Sequence, residues 1–158
     1  MLKTAGDIMT REVVLVREEV TINELIEIFL ENKISSAPVV DDKKELIGIV
    51  TKTDILGHFM DLDLDLTLTV GLRDLMDAHP EQSDLEVSAH TDLTVKEIMT
   101  TNPITVEENI AIEVLAGTMV EKGIHRLIVT NGKSVVGIVS TLDILHFVSG
   151  KEKNESGK

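Results

Sequence analysis

Apolar positions along the chain follow two rhythms, strand-like and helix-like, and the whole series occurs twice. Val13 to Val16 is a short apolar run with strand character. Ile22, Leu25, Ile26, Phe29 and Leu30 then recur at i, i+3, i+4, i+7 and i+8, one face of a helix. Thr21 and Glu24 ahead of that face fit a capping box, in which hydroxyl and carboxylate each satisfy a free backbone N–H. Two more short apolar runs follow, Ala37 to Val40 and Leu46 to Val50, and then a second helix from Thr53 to about Phe59. The predicted order is β-α-β-β-α.

The second half repeats it. Ile112, Leu115, Ala116, Met119 and Val120 take the helical positions, and Gly123 suits the left-handed residue that ends such a helix. Leu127 to Thr130 and Val135 to Val139 are the strand pair, joined through Asn131-Gly132, a two-residue hairpin signal. Thr141 to about Val148 is the closing helix. Identical tripeptides fix the register. Ile8-Met9-Thr10 recurs as Ile98-Met99-Thr100, 90 residues on, and Asp54-Ile55-Leu56 as Asp143-Ile144-Leu145, 89 on. The lost residue falls between Asp41-Asp42-Lys43-Lys44-Glu45 and Asn131-Gly132-Lys133-Ser134, where a loop belongs. A copy of roughly 50 residues buries too little to stand alone, so the two pack as one α/β body. The expected organisation is repeat 1 over 1–60, an insert over 61–92, repeat 2 over 93–149 and a disordered tail over 150–158.

Composition narrows the function. With 158 residues the chain has one domain's worth of core, and with no cysteine it has neither disulfides nor thiolate chemistry. Its 28 acidic and 15 basic residues give a formal charge of −13, which opposes binding to a phosphate backbone. There is no Trp or Tyr, so stacking platforms for single strands are nearly absent and no nucleic-acid partner is expected. No apolar run approaches the ~18 residues of a membrane span, and no signal peptide is visible at Met1 to Thr10. The expectation is a cytoplasmic protein that does not contact a membrane.

The Ile-Met-Thr leader, Ser36-Ala37-Pro38-Val39-Val40, Gly-Ile-Val-Thr/Ser-x-x-Asp in both copies and Gly123-Ile124-His125-Arg126-Leu127 together resemble the CBS domain. The pair resembles a Bateman module over about two thirds of the chain. The resemblance implies pseudo-twofold packing of the repeats, two clefts between them, and dimerisation into a flat disc. It also implies adenosine ligands (AMP, ADP, ATP or S-adenosylmethionine) and a sensing role rather than catalysis.

Asp54 and Asp143 are the candidate ribose groups. An ionised carboxylate accepts two O–H donors, and a ribose offers two adjacent hydroxyls. Thr51 and Ser140, three residues earlier, can reach the sugar or a phosphate, and the helix that follows adds free N–H groups. The competing reading makes these residues plain helix caps, and both roles can coexist. Arg126 is one of only four arginines, and its guanidinium suits phosphate. His125 beside it adds a donor. A similar Ile-His-Arg-Leu stretch meets phosphates in adenylate-sensing members of the family; the plainer reading is a surface Arg and a half-buried His. Copy one has Ile34-Ser35-Ser36-Ala37 at that place, without a base, so the clefts are not equivalent. The family's symmetry implies one cleft of Ile34, Ser35 and Ala37 with Ser140 and Asp143. The other combines Ile124, His125 and Arg126 with Thr51 and Asp54. With no aromatic to stack on, an adenine would lie between aliphatics such as Val13, Val39, Ile104 and Val129, which read equally well as core.

In the insert, Asp61 to Leu66 alternates with period 2, as a segment with one buried face would. Leu66 and Leu72 stand where a calcium loop needs Gly and Glu, so an EF-hand is rejected. Leu68 to Met76 reads as a short helix broken at His79-Pro80. His58, His79, His90 and His146 have no metal-ligand spacing, and no hydrolase, P-loop or Rossmann signature occurs. The chain is thus expected to be a stand-alone CBS pair: a regulatory sensor of adenine nucleotides, not an enzyme, without a catalytic cofactor, and a homodimer. It acts on a target protein the sequence does not name. The alternative is a dimerisation or interaction module of the same fold with empty clefts.

Overall fold

A computed structural model of the chain describes residues 3–61 and 93–150. The expectations for 62–92 and for 151–158 lie outside the described residues.

Copy one runs α1 (Ala5–Ile8), β1 (Val16–Arg17), α2 (Ile22–Glu31), β2 (Ser36–Val40), β3 (Leu46–Thr51) and α3 (Lys52–Asp61). Copy two runs α4 (Val95–Ile98), β4 (Thr100–Thr101), β5 (Thr105–Glu107), α5 (Ile112–Lys122), β6 (Arg126–Asn131), β7 (Ser134–Ser140) and α6 (Thr141–Ser149). The β-α-β-β-α order is present in both, preceded each time by a four-residue helix that the periodicity does not predict. Local chemistry explains the boundaries. Thr21 caps α2: its N–H donates to Glu24 Oε2 at 2.9 Å and its hydroxyl accepts from Glu24 N at 3.3 Å. Gly123, at φ 61, ends α5 in the left-handed region. Gly132, at φ 62, turns the second hairpin.

In each copy the first strand lies parallel to the second and the third antiparallel to it: β1-β2-β3 and β5-β6-β7. The α2 face predicted from spacing is the buried one, with Ile22, Leu25, Ile26 and Phe29 all in the core. Burying each such side chain contributes about 1.5–3 kcal/mol. On α5 the face holds at Ile112, Leu115 and Met119 but fails at Val120, which is 83% exposed. Ile55, on α3, is fully buried.

The two copies exchange their leaders. β4, which follows the second leader helix, pairs with β3 of copy one through Gly48↔Thr101 and Ile49↔Thr100. Thr10, after the first leader helix, pairs with Ile138 of copy two. Helix starts cross over as well: Ala5 N donates to Ile110 O at 2.9 Å, and Val95 N donates to Val20 O at 2.8 Å. Ala5 and Met9 therefore complete the second core beside Leu115 and Leu127, while Val95 completes the first beside Leu25 and Ile55. Each copy's sheet and core are finished by the other, which makes the pair one structural unit with approximate twofold symmetry.

Candidate functional site

The strand-to-helix junctions bring the two Thr/Ser-x-x-Asp motifs to equivalent places. Thr51 ends β3 and Asp54 lies in the first turn of α3. Asp54 Oδ2 accepts from Thr51 N and Thr51 Oγ1, both at 2.7 Å. In copy two, Asp143 Oδ2 accepts from Ser140 N at 2.6 Å and Ser140 Oγ at 2.8 Å. Both motifs therefore do cap their helices. Asp54 keeps Oδ1 outside these bonds, so its cap still leaves acceptor capacity. Asp143 is the more enclosed, 8% exposed, while Asp54 is half-buried.

A cleft of about 470 Å³ opens beside Asp54 and draws its walls from both copies. Thr51 and Asp54 line one side, and Ile124, His125 and Arg126 line another, the grouping that the family resemblance implies. The cleft spans the pseudo-dyad here, because β6 of copy two begins at Arg126 while α3 of copy one begins at Lys52. Arg126 Nη2 donates to Ser35 Oγ at 2.5 Å, tying copy two to copy one at the cleft wall.

That bond also places Ser35 at the Asp54 cleft. The family symmetry groups it with Ser140 and Asp143, but it lines the Asp54 cleft together with Arg126. The reason is topological: Ser35 and His125 both precede the central strand of their sheet, so both stand at the divide. Ala37 is fully buried in the first core and is not among the residues lining the Asp54 cleft. Ile34 is half-buried and packs against that same core. Of the four aliphatics considered for an adenine, Val39 and Val129 are wholly core, whereas Ile104 lines the cleft at 40% exposure.

Sequence reasoning misses other walls. Lys52 follows Thr51 directly, and Asn102-Pro103 follows the second leader; both segments line the cleft. The adjacency of Lys52 to the motif is a usable signal. The Asn102-Pro103 contribution is not, since it depends on the leader exchange. Asn102 adopts φ 52, a left-handed conformation that asparagine tolerates better than most residues. Among the described residues no cluster of His, Cys, Asp or Glu has the makings of a metal site, and no helix is long and apolar enough to cross a membrane.

Comparison with known proteins agrees with this architecture. A protein of Methanocaldococcus jannaschii, without assigned function, is 31% identical over 149 residues, covering 88% of this chain and 87% of its own length. A second protein of that organism is 29% identical over 147 residues, but the chain spans only 40% of its length. Among solved structures, a CBS domain pair in complex with 5′-methylthioadenosine and S-adenosyl-L-methionine superposes with a TM-score of 0.71 at 24% identity, covering 96% of this chain and all of that one. A CBS protein in complex with AMP superposes at 0.69 with 21% identity, covering 93% of this chain and 96% of that one. The sequence profile of the CBS domain matches residues 5–61 and 95–150, so the chain belongs to the CBS domain family and carries the domain as a tandem pair.

Proposed function

We propose that this chain is a regulatory sensor that binds an adenine nucleotide in the cleft between its two repeats. One observation carries the reading: Asp54 from copy one and Arg126 from copy two line a single cleft. A nucleotide offers a diol and a phosphate, and the cleft offers a carboxylate acceptor and a guanidinium donor. Thr53, in the first turn of α3, also lines the cleft and adds a backbone donor near the phosphate position. Ile104, Ile124 and Ile128 supply the apolar wall an adenine needs. The adenosine ligands of the two structural relatives support the same ligand class.

The reading assigns the chain no reaction. Binding alters shape, and the change acts on a separate protein in the cytoplasm. The working form is a homodimer. Leu142, Leu145 and Val148 recur along α6 at 60%, 57% and 74% exposure, an apolar stripe that a second copy would cover.

A thermal-shift series with AMP, ADP, ATP, S-adenosylmethionine and NAD tests the sensor reading. A ligand at 100 times its Kd stabilises by about 2.7 kcal/mol. A clear rise in Tm with at least one adenosine compound is expected. No shift with any of them would leave the pair as an interaction module.

A further inference from the structure

One side chain joins the cationic wall of the cleft to the acidic one. Arg126, at the start of β6, belongs to copy two, and its Nη2 donates to Ser35 Oγ of copy one at 2.5 Å. Ser35 is fixed in turn through its main chain. Its carbonyl oxygen accepts from Lys52 N at 3.0 Å, one step beyond the Ser36–Thr51 pair of the first hairpin. Lys52 is the first residue of α3, and Thr51 beside it donates its N–H and its hydroxyl to Asp54 Oδ2, both at 2.7 Å. A path of hydrogen bonds and peptide links therefore runs from the Arg126 guanidinium through Ser35 to the Asp54 carboxylate. The Ser35 hydroxyl is the point at which it crosses from copy two to copy one.

The chemistry of that crossing suits positioning. A guanidinium carries five N–H donors in a rigid plane, so one given to Ser35 leaves four for a ligand. An arginine that grips an anion loses rotamer freedom, and a hydrogen bond already in place removes part of that cost. Serine has a short side chain with one χ angle to fix, so its Oγ follows the backbone that Lys52 N holds. Ser35 and Arg126 are both half-buried, so water competes for their bond less than at an open surface. The hydroxyl is also neutral. It orients the cation without offsetting its charge, as a carboxylate in the same place would.

We infer that Ser35 is a positioning residue: it holds the Arg126 guanidinium in a set place relative to Asp54 and so fits the cleft to the span between a ribose diol and a phosphate. This rests on the sensor reading above, in which Asp54 meets the sugar and Arg126 the phosphate. Ser35 acts through Arg126, so its effect falls on the phosphate of the ligand and not on the nucleoside.

Calorimetry with AMP, ADP, ATP and adenosine tests it on the unaltered chain and on variants at both positions. At least one of the three nucleotides is expected to bind the unaltered chain. Ser35→Ala should weaken that nucleotide roughly 10-fold, the low end for a hydrogen bond to a charged group, while adenosine changes less than about twofold. Ser35→Thr keeps the hydroxyl and should restore most of the affinity. In an Arg126→Gln background, Ser35→Ala should cost nothing further, because the residue it acts through is gone. Where Arg126→Gln binds too weakly to measure, the adenosine comparison and the threonine rescue decide. Unchanged nucleotide affinity in Ser35→Ala would overturn the positioning role and leave the sensor reading standing. So would equal losses of nucleotide and adenosine, which mark a support for the fold, or a full Ser35→Ala effect in the Arg126→Gln background, which marks direct contact with the ligand. Binding of no nucleotide to the unaltered chain overturns the sensor reading itself, and the inference with it.

Discussion

Met9 occupies the space that a side chain on Gly137 would need: a Cβ built there falls 2.8 Å from Met9 Cγ. The same relation holds across the pseudo-dyad, where a Cβ on Gly48 meets Met99 Sδ at 2.8 Å and the Thr100 carbonyl oxygen at 3.0 Å. The recurring Ile-Met-Thr and Gly-Ile-Val segments are therefore two halves of one contact, and each half sits in the other copy. Gly48→Ala should destabilise by about 1–3 kcal/mol, because backbone as well as a side chain stands in the way. Gly137→Ala meets Met9 along its side chain back to Cγ at 2.8 Å and Cβ at 3.2 Å, and Met9 is buried, so its cost should be of similar size. Urea unfolding measures both. In a double-mutant cycle, Gly137→Ala should cost markedly less in a Met9→Ala background. Additive losses would mean that the Met9 contact is not what excludes a side chain at Gly137.

Asp54 and Asp143 each hold a helix start through one oxygen, so truncating them has two separable effects. Loss of the cap should lower stability by about 0.5–2 kcal/mol in Asp54→Ala and in Asp143→Ala. Loss of a charge-assisted ribose contact should weaken one site by roughly 10- to 100-fold and spare the other. Chemical denaturation reads the first effect and calorimetry the second. A variant with lower stability and unchanged ligand affinity would mean that its Asp is a cap only.

Elements whose causes are local are legible in the amino-acid order alone. The α2 stripe from Ile22 to Phe29, the Thr21–Glu24 box and the Gly123 stop all depend on neighbours within a turn or two. The repeat reaches further: two matched copies imply the β-α-β-β-α order, and the family they resemble implies the grouping of Asp54 with Arg126. The leader exchange is not legible. It pairs Thr10 with Ile138 and Thr100 with Ile49, and pairing between remote strands leaves no period in the sequence. That Ser35 lines the Asp54 cleft is not legible for the same reason, since its position follows from the start of β2 relative to Arg126. Val120 shows the limit of periodicity, which sees one helix face but not what packs against it.

The α6 stripe should mediate self-association. Leu142, Leu145 and Val148 are spaced three apart and are all more than half exposed. Light scattering at micromolar concentration is expected to give twice the chain mass of 17.4 kDa. Leu145→Glu would place a charge in the middle of the buried stripe and should give a monomer that still binds ligand. An unaltered chain that runs as a monomer, or a Leu145→Glu variant that stays dimeric, would put the contact elsewhere or remove it.

The two long first helices differ at their caps, and the difference predicts an acid response. In α2 the Thr21 backbone N–H and then its hydroxyl donate to the Glu24 carboxylate, holding its pKa below the ordinary carboxylate range. A depressed carboxylate stabilises the fold above its unfolded pKa, and that contribution is lost as pH falls through the folded value. Glu24→Gln should therefore lower stability at neutral pH and flatten the loss of stability below about pH 4, near the ordinary glutamate value. In α5 the N-cap is Ala111, whose side chain caps nothing. The backbone there is already suited to threonine: Ala111 bridges Thr4 as Thr21 bridges Thr94. Ala111→Thr should raise stability by about 0.5–2 kcal/mol through a hydroxyl that accepts from the Val114 N–H. With Val114 rather than a carboxylate at the third helical position, the gain should not depend on pH between about 3 and 7, where carboxylates and histidines titrate. Thermal melts of both variants across that range check the pair. A pH-dependent gain in Ala111→Thr, or an unchanged acid limb in Glu24→Gln, would show that the acid response arises at other carboxylates.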